Sequence, residues 1–341
     1  MTQFGFFGTG LELSDAVSVL SNKVSVLSNA VSVLSQAQSV LSQQVSVLSQ
    51  QVSTISQQVS VLSQQVSVQS QQISVLSQQV SALSARILYP GQCRLSVKST
   101  TSVTMQPYGG QYLWINGAPQ KIPSGGVEMG TGGLTSATTY NLYAFMSATT
   151  MTLEATTSAH ATDTVAPNIG VEIKSGDATR TLVGMVRLNA SVQFVNSATQ
   201  RFLLSYFNRR LLAMLNNYTA DRTTGSATYV ELNAEIQNTF LTWGDEAVVL
   251  AVDGGSNSGG TNTTAAIGVD STTVAQAGFE SGVINSGTNP VPLALAGVVS
   301  LAEGYHYATL LGATSGGTLT YWATTALFTK VQASLHVWVR G

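Results

Sequence analysis

Val45-Ser-Val-Leu-Ser-Gln-Gln51 is the phrase on which this chain is built, and with small variations it repeats over residues 17–87. When the first Val is called position a and the Leu position d, apolar residues alternate three and four apart for roughly ten heptads. A 3.5-residue period is typical of a left-handed coiled coil. At 1.5 Å per residue the segment predicts a helical rod of about 105 Å. Its apolar seam requires association with copies of the same chain.

The width of the apolar face bears on the number of helices. Val also occupies position c in most heptads, which widens the apolar arc from about 60° to about 160° on a helical wheel. Val at a with Leu at d favours dimers, whereas a wider arc favours three or more helices. We therefore predict a parallel homotrimer.

Two core positions interrupt the pattern, with Gln38 at an a position and Gln69 at a d position. Lys23 is the only charged residue between Ala16 and Ala85, so the charge pairs that usually set partner and alignment are missing. A buried amide needs a hydrogen-bonding partner, which its own copies supply in a parallel, in-register assembly. We interpret both Gln layers as markers of the stalk register; the alternative is that they are tolerated defects.

The composition changes sharply at Leu88. All seven Pro lie from Pro90 onward, and 28 of the 31 Gly follow Leu88. Pro90 and Gly91 are expected to end the helix. The chain is therefore divided into four predicted parts: an anchoring peptide at 1–13, a coiled-coil stalk at 14–88, a first β domain at 89–210 and a distal β domain at 211–341.

The first residues form a short head in which Phe4, Phe6 and Phe7 stand among glycines. Exposed aromatic rings need a cover, so we interpret this head as an anchor that docks into a larger particle. The alternative is that it only caps the coil. Ser14 and Asp15 are the expected helix N-cap.

From Gln92 onward the period changes to two, which indicates strands. Short segments rich in Thr, Val, Tyr and Trp are predicted as strands at 111–115, 140–146, 151–157, 172–174, 181–188, 247–252, 265–269, 298–301, 305–311, 318–322 and 331–340. The Asn116-Gly117 pair predicts a hairpin turn, and the Gly-rich segment 253–262 a hairpin loop. For 209–217 the pattern leaves helix and strand open. Regular short strands with turn signals predict antiparallel sandwiches or jelly rolls.

Charge and apolar content argue against several function classes. The net charge is −2, with 9% charged residues, which gives no electrostatic basis for binding nucleic acid or anionic membrane. No membrane span is expected, because no stretch of about 18 apolar residues occurs, and the N-terminus lacks a secretory pattern. A local basic cluster, formed by Arg201, Arg209 and Arg210, is interpreted as part of a solvated junction between the two β domains. The lone cysteine, Cys93, is expected to be a small buried hydrophobe.

Catalytic motifs give little support for an enzyme, and we expect no cofactor and no metal site. Gly-x-Ser-x-Gly, metal-ligand spacing and a phosphate loop are all missing from the sequence. Asp245, Glu246 and Asp253 are expected at strand ends, where turn chemistry explains them. A depolymerase that uses separated carboxylates is the alternative.

Three phrases carry a resemblance to phage and prophage structural proteins, at residues 175–186, 197–209 and 303–312. The order of N-terminal peptide, coiled-coil shaft and β domains resembles that of the trimeric fibre and receptor-binding proteins of tailed bacteriophages. This resemblance implies a virion protein exposed on the particle surface, with its N-terminal peptide bound to a capsid, collar or tail protein. Synthesis in the host cytoplasm without a signal peptide fits the same reading. The His-x-His pairs of some fibre tips are missing from the sequence.

Aromatic residues near the C-terminus predict a host contact. Trp338 and His336 fall on the polar-facing side of the predicted last strand, and Tyr305, Tyr307 and Trp322 precede it. Aromatic rings beside Ser, Thr and Asn can stack on sugars. These five residues are therefore candidate contacts to a host-surface glycan or protein, although core packing or subunit contact is the alternative for each.

Two function classes remain open. In the first, the chain is an adhesive fibre that attaches to the host surface; in the second, it is a head or collar decoration fibre with no specific receptor. A cellular trimeric adhesin is a third, less favoured class, against which the missing export signal argues.

Overall fold

A computed structural model describes residues 8–87, 91–259, 262–283, 291–326 and 330–341. The chain divides into two compact units, Met1–Ser81 and Ala82–Gly341. The first is helical, and the second contains the end of the helix followed by the β-strands. The strand-containing part, from Gly91 onward, is called the β unit below. The expected order of a long helix followed by an antiparallel β region is therefore confirmed.

One helix, α1 (Gly8–Ile87, 80 residues), contains the whole heptad region. The prediction of an N-cap at Ser14 and Asp15 is wrong, because the helix already begins at Gly8. Leu13 lies seven residues before Leu20, so it continues the d positions by one heptad and extends the helical pattern toward the N-terminus.

The length and apolar content of α1 bear on the expectation that no segment spans a membrane. By length and composition alone, the helix over residues 12–81 is apolar enough to cross one. A hydrocarbon core about 30 Å thick needs about 20 residues, whereas the apolar seam runs for several times that length. Ser recurs in every heptad and Gln in every heptad between residues 31 and 79, so the apolar residues form a stripe rather than a continuous cylinder, which favours a coiled coil.

The described part of the second unit contains 23 strands and one short 3-10 helix. The first twelve strands are β1 (Cys93–Ser99), β2 (Ser102–Pro107), β3 (Tyr112–Ile115), β4 (Ala118–Lys121), β5 (Val127–Gly130), β6 (Thr139–Ser147), β7 (Thr150–Thr156), β8 (His160–Thr162), β9 (Glu172–Lys174), β10 (Asp177–Arg187), β11 (Gln200–Arg201) and β12 (Leu203–Ser205). The remaining elements are β13 (Leu211–Asn217), β14 (Arg222–Thr224), β15 (Val230–Glu231), the 3-10 helix (Ala234–Ile236), β16 (Asn238–Thr242), β17 (Ala247–Ser258), β18 (Thr263–Val269), β19 (Glu280–Val283), β20 (Val291–Ser300), β21 (Gly304–Thr314), β22 (Leu319–Tyr321) and β23 (Ser334–Arg340).

These strands form five sheets, and the pairs are antiparallel apart from the short parallel pair of β11 and β16. The first half of the unit contributes sheets in the orders β1-β2-β5, β3-β4 and β7-β6-β10-β9-β8, with β12 also paired to β10. The second half contributes β11-β16-β21-β18-β19, with β15 on β21, and β13-β23-β17-β22-β14, with β20 on β17. The last of these sheets is called the C-terminal sheet below.

Two hydrophobic clusters fill the unit. One draws only on residues between Cys93 and Leu203, and Cys93 itself is 1% exposed, as expected for a buried hydrophobe. The other comes mainly from residues beyond 210 but also includes Tyr143, Leu182 and Met185 from the first half. Side chains from both halves thus share one core, and the boundary at 210 stays a prediction.

Two local predictions are settled by strand pairing. Residues 209–217, which the periodicity left open, contain β13, and each residue from Leu211 to Asn217 pairs with β23. The hairpin loop predicted at 253–262 is wrong, because β17 continues through the glycines to Ser258 and pairs with β20 and β22. The backbone of Gly254 lies so close to Gln332 and Ala333 that no Cβ would fit there, which explains the glycine inside a strand.

Candidate functional site

The seam of α1 is a long, continuous exposed apolar surface. Its Val, Leu and Ile side chains at positions a, c and d are between 52% and 69% exposed along the helix. Gln38 and Gln69 lie in line with them and are exposed as well. An apolar stripe of this length is far larger than the patches that soluble monomers tolerate.

The proposed anchor residues Phe4, Phe6 and Phe7 lie outside the described residues. Their interpretation as a docking peptide stays a prediction from the sequence.

Two of the five candidate receptor residues are occupied inside the chain. Trp322 is 3% exposed and packs over the backbone of Gly255, so its ring is not accessible to a receptor. The Tyr305 ring lies beneath the guanidinium of Arg187, 3.9 Å from the ring centroid, and meets the edge of Phe202. Burial is the main cause that raises the pKa of Tyr305. Tyr305 therefore packs against the first half of the β unit.

The other three candidates are half-buried and lie in two different sheets. Tyr307 is on β21, while His336 and Trp338 are on β23. The rings of His336 and Trp338 stack with centroids 5.5 Å apart and an interplanar angle of 9°. The fold thus brings together His336 and Trp338, two of the five candidates.

His336 and Trp338 lie in the middle of one face of the C-terminal sheet. Trp338 is directly opposite Ala213 on β13 and Val249 on β17, and Val249 is opposite Val298 on β20. Directly opposed residues point to the same side of a sheet. We call this side the apolar face after its central residues, which are Leu211, Ala213, Leu215, Val249, Ala251, Ala294, Ala296, Val298, His336 and Trp338. The flanking rows on the same side also carry polar residues, which are Asn217, Asp253, Ser300, Ser334 and Arg340.

The apolar face is exposed, whereas the opposite side of the same strands forms the core. Leu211 is 62%, Leu215 45% and Val298 63% exposed. In contrast, Leu335 and Val337, which point the other way, are fully buried. The expected alternation along the last strand is therefore confirmed over β23. The surprise is the chemistry of the outward side, which is apolar because its neighbours on β13, β17 and β20 are aliphatic.

Charged groups lie at the ends of the apolar face. At one end the Asp253 carboxylate is 3.1 Å from Nε2 of His336. At the other, Arg340 is 3.6 Å from Glu246. Asp253 lies within β17, so its expected position at a strand end is wrong, while Glu246 does lie in the turn between β16 and β17.

A second cluster, which sequence reasoning missed, is centred on His160. Its Nδ1 is 2.6 Å from Glu172, its Nε2 is 3.0 Å from Glu303, and its ring meets Trp243 edge-on. Hydrogen bonding to Glu303, with a further contribution from Glu172, raises the pKa of His160 to about 9 despite the opposing effect of burial. The protonated imidazole therefore links β8 and β9 to the segment just before β21.

Of the three arginines expected at a solvated junction, Arg210 is exposed as expected, whereas the other two are engaged within the chain. Arg209 donates to both Asp245 and Glu246 at 2.8 Å. Arg201 donates to the carbonyl of Ala213, and burial lowers its pKa. Arg209 and Arg201 therefore hold backbone and turn segments together and do not form a free basic patch.

Within the described residues, no group of three or more His, Cys, Asp and Glu side chains is placed to hold a metal ion. The carboxylates discussed above are paired with Arg or His side chains. The geometry that stands out is apolar, in the helix seam and the apolar face.

Comparisons with known proteins give distant likenesses. No protein-family model matches the chain, and no curated protein matches it. Among solved structures, the globular domain of the zebrafish complement 1qA protein is 14% identical with a TM-score of 0.25, covering 39% of this chain and 97% of that one. A structure of the Gx strain of infectious bursal disease virus is 11% identical with a TM-score of 0.27, covering 72% of this chain and 57% of that one. The BuGH86 protein in complex with neoagarooctaose is 9% identical with a TM-score of 0.23, covering 73% of this chain and 34% of that one.

Proposed function

We propose that this chain is a structural fibre protein of a phage virion, in which three parallel copies form a coiled-coil stalk that carries the β unit. The observation that carries this proposal is the exposed seam of α1. Burying a Val or Leu side chain contributes about 1.5–3 kcal/mol, and the seam repeats such residues in every heptad. Association of copies is therefore strongly favourable. Because the apolar residues repeat every seven residues, the seam of one helix fits the seam of another helix with the same repeat.

The proposed number and direction of the copies are supported by the distribution of residues on α1. The c-position Val side chains, such as Val47 and Val61, are exposed together with the a and d positions, and three helices cover this wide arc better than two. Parallel copies place Gln38 beside Gln38 and Gln69 beside Gln69, so that each amide meets hydrogen-bonding partners. An antiparallel or shifted assembly would bury these amides against Val and Leu.

The position on a particle rests on the resemblance to phage fibres and on the Phe-rich head. In this proposal residues 1–13 bind a capsid, collar or tail protein, and the β unit attaches to a host-surface glycan or protein. Among the sequence-predicted contacts, Tyr307, His336 and Trp338 are partly exposed in the single chain and remain available, whereas Tyr305 is held by Arg187 and Phe202.

A fibre that decorates the head or collar without a specific receptor is the second candidate. It is favoured by the positions of Trp322 and Tyr305, because two of the five aromatic residues expected to bind a receptor are used for packing within the chain. The two candidates share the stalk and differ only in whether the β unit binds the host.

The stalk is tested by light scattering on the full chain, where we expect the mass of three 35.6 kDa copies. Changing Leu48 and Leu62 to Asp places charges at two d positions and is expected to dissociate the oligomer. The matched control changes Gln50 and Gln64 to Asp at position f, which faces away from the seam. A monomeric wild-type chain, or equal behaviour of the two double variants, would contradict the coiled coil, and a dimer mass would contradict the trimer alone.

Attachment is tested by adsorption of the full-length chain to host cells at low and high salt. The chain is only 9% charged, so we expect binding that changes little with ionic strength. Failure to adsorb while the oligomer is intact would favour the decoration fibre.

A further inference from the structure

We infer that the apolar face of the C-terminal sheet is a subunit interface whose occupant is a second copy of this chain. The inference rests on the proposed oligomeric stalk and extends it to the β unit. It assigns His336 and Trp338 to contacts between copies in place of contacts with a receptor.

The chemistry of the face fits a protein surface better than a sugar. Its central rows are Leu215, His336, Ala251 and Ala296 in one, and Ala213, Trp338, Val249 and Val298 in the next. A sugar site combines aromatic stacking with several placed hydrogen-bonding groups. In these two rows the imidazole of His336 is the single polar side chain, and it is already stacked on Trp338 and paired with Asp253.

The size of the face also fits such a contact. Four strands about 4.8 Å apart, over about 20 Å of strand length, present about 400 Å² of flat surface. The largest apolar patch on a typical monomer is about 300–600 Å² and is often functional. A stable interface buries about 800 Å² per partner, so this face alone is a modest interface. In a closed ring of copies, each β unit has two neighbours, so it makes a second contact in addition to the one through this face.

The stalk supplies the remaining affinity and the identity of the occupant. Only three residues separate Ile87, the last helical residue, from Gly91 at the start of the β unit. Copies joined through the coil therefore hold their β units at an effective concentration on the order of millimolar. At that concentration a modest apolar contact between copies forms in preference to one with any dilute partner.

Two valines with matched exposure allow a direct test in the full chain. Val298 on the apolar face is 63% exposed in the single chain, and Val274, in the segment before β19, is 64% exposed. Each is changed to Cys separately, and the rate of reaction with a maleimide is measured on the native oligomer. The natural Cys93 is 1% exposed, so it does not react in the native chain, and after denaturation it adds the same signal to both variants. We expect the Val298→Cys chain to react about tenfold or more slowly than the Val274→Cys chain, with equal rates after denaturation.

A second pair of variants tests whether the protection comes from the face itself. Val298→Asp added to an Ala296→Cys chain is expected to restore fast labelling at 296, because a charge disfavours burial of the face. Val274→Asp in the same background is expected to leave labelling slow.

The outcomes separate this inference from the proposed stalk. An oligomer of the expected mass in which Val298→Cys and Val274→Cys react equally fast overturns the interface and leaves the stalk intact. A monomer with equal rates overturns both. Protection of Val298→Cys that develops only after host-cell envelope is added assigns the face to a receptor and also overturns the inference.

Discussion

Nε2 of His160 lies 3.0 Å from a carboxylate oxygen of Glu303, although 143 residues separate the two in the sequence. Glu172 binds the other nitrogen of the same ring. The ring therefore holds three segments of the β unit together through charge-assisted hydrogen bonds, which are stronger than neutral ones. This contact gives the fold a dependence on pH.

The β unit is expected to lose stability between about pH 6.5 and pH 9. The pKa of His160 is raised from its ordinary value of 6.5 to about 9, first by its hydrogen bond to Glu303. A raised pKa means that the contribution is fully present below the unfolded pKa and is lost as pH rises through the folded one. The imidazole is 22% exposed, and we expect an effect on the order of 1–3 kcal/mol.

Thermal unfolding of the wild type and of Glu303→Gln over this pH range measures that contribution. The two stability curves should converge as pH rises through about 9, because the wild type loses the charged contact there. Glu128→Gln is the matched control, since its partner Lys98 is 57% exposed and the pair lies on the surface. A Glu303→Gln curve that stays parallel to the wild type would show that the His160 contact does not respond to pH.

Changing Gln38 to Val and Gln69 to Leu together is expected to raise the melting temperature of the stalk and to loosen its register. Both changes remove a buried amide, which costs free energy unless it is paired, and both also remove the features that distinguish one alignment from another. Circular dichroism measures the first effect and crosslinking of adjacent copies the second. Gln50→Val, at position f, is the control. A variant that keeps one unique register would refute the alignment role of the two Gln layers.

Trp322→Ala is expected to destabilise the β unit by about 3–5 kcal/mol, the usual effect of truncating a buried Trp. Its ring is 3% exposed and covers the backbone of Gly255, so the change leaves a cavity. Urea unfolding, followed by far-UV circular dichroism of the backbone so that the signal does not rely on the removed ring, gives the midpoint urea concentration. Val165→Ala is the control because that side chain is 68% exposed. An unchanged midpoint for Trp322→Ala would restore this residue as a candidate for function.

Replacing Phe4, Phe6 and Phe7 with Ala is expected to leave a soluble oligomer that no longer incorporates into particles. The rings are proposed to supply the apolar contact with the virion, while the seam that assembles the stalk begins later in the chain. Copy number in purified particles, measured by quantitative mass spectrometry, checks this. Normal incorporation of the triple variant would remove the anchor role.

The sequence correctly predicted the elements whose structure depends on residues close together in the chain, which are the long helix and a tight hairpin. The heptads gave the long helix because a sustained 3.5-residue period suits no other soluble structure. Asn116 and Gly117 gave the hairpin between β3 and β4, and both adopt positive φ angles of 49° and 76°. Such turns favour Asn-Gly because these residues tolerate the left-handed region.

The sequence could not reveal features that depend on distant pairing. The strand at 253–258 was mistaken for a loop because its glycines signal a turn, and only the closeness of Gln332 and Trp322 explains them. The segment around β13 stayed undecided until its pairing with β23 fixed it as a strand. The apolar face needs four strands from separate parts of the sequence, and no single strand shows it. Likewise, no local pattern joins His160 to Glu303.

The near-identity of the heptad phrases gives the stalk a property that an irregular helix would lack. A duplication or deletion of one seven-residue phrase changes the length by about 10.5 Å and returns every following Val and Leu to its former position. The length of α1 can therefore change in discrete steps without any compensating substitution. A gain or loss that is not a multiple of seven residues breaks the seam at that point. The repeat therefore restricts changes in helix length to whole heptads.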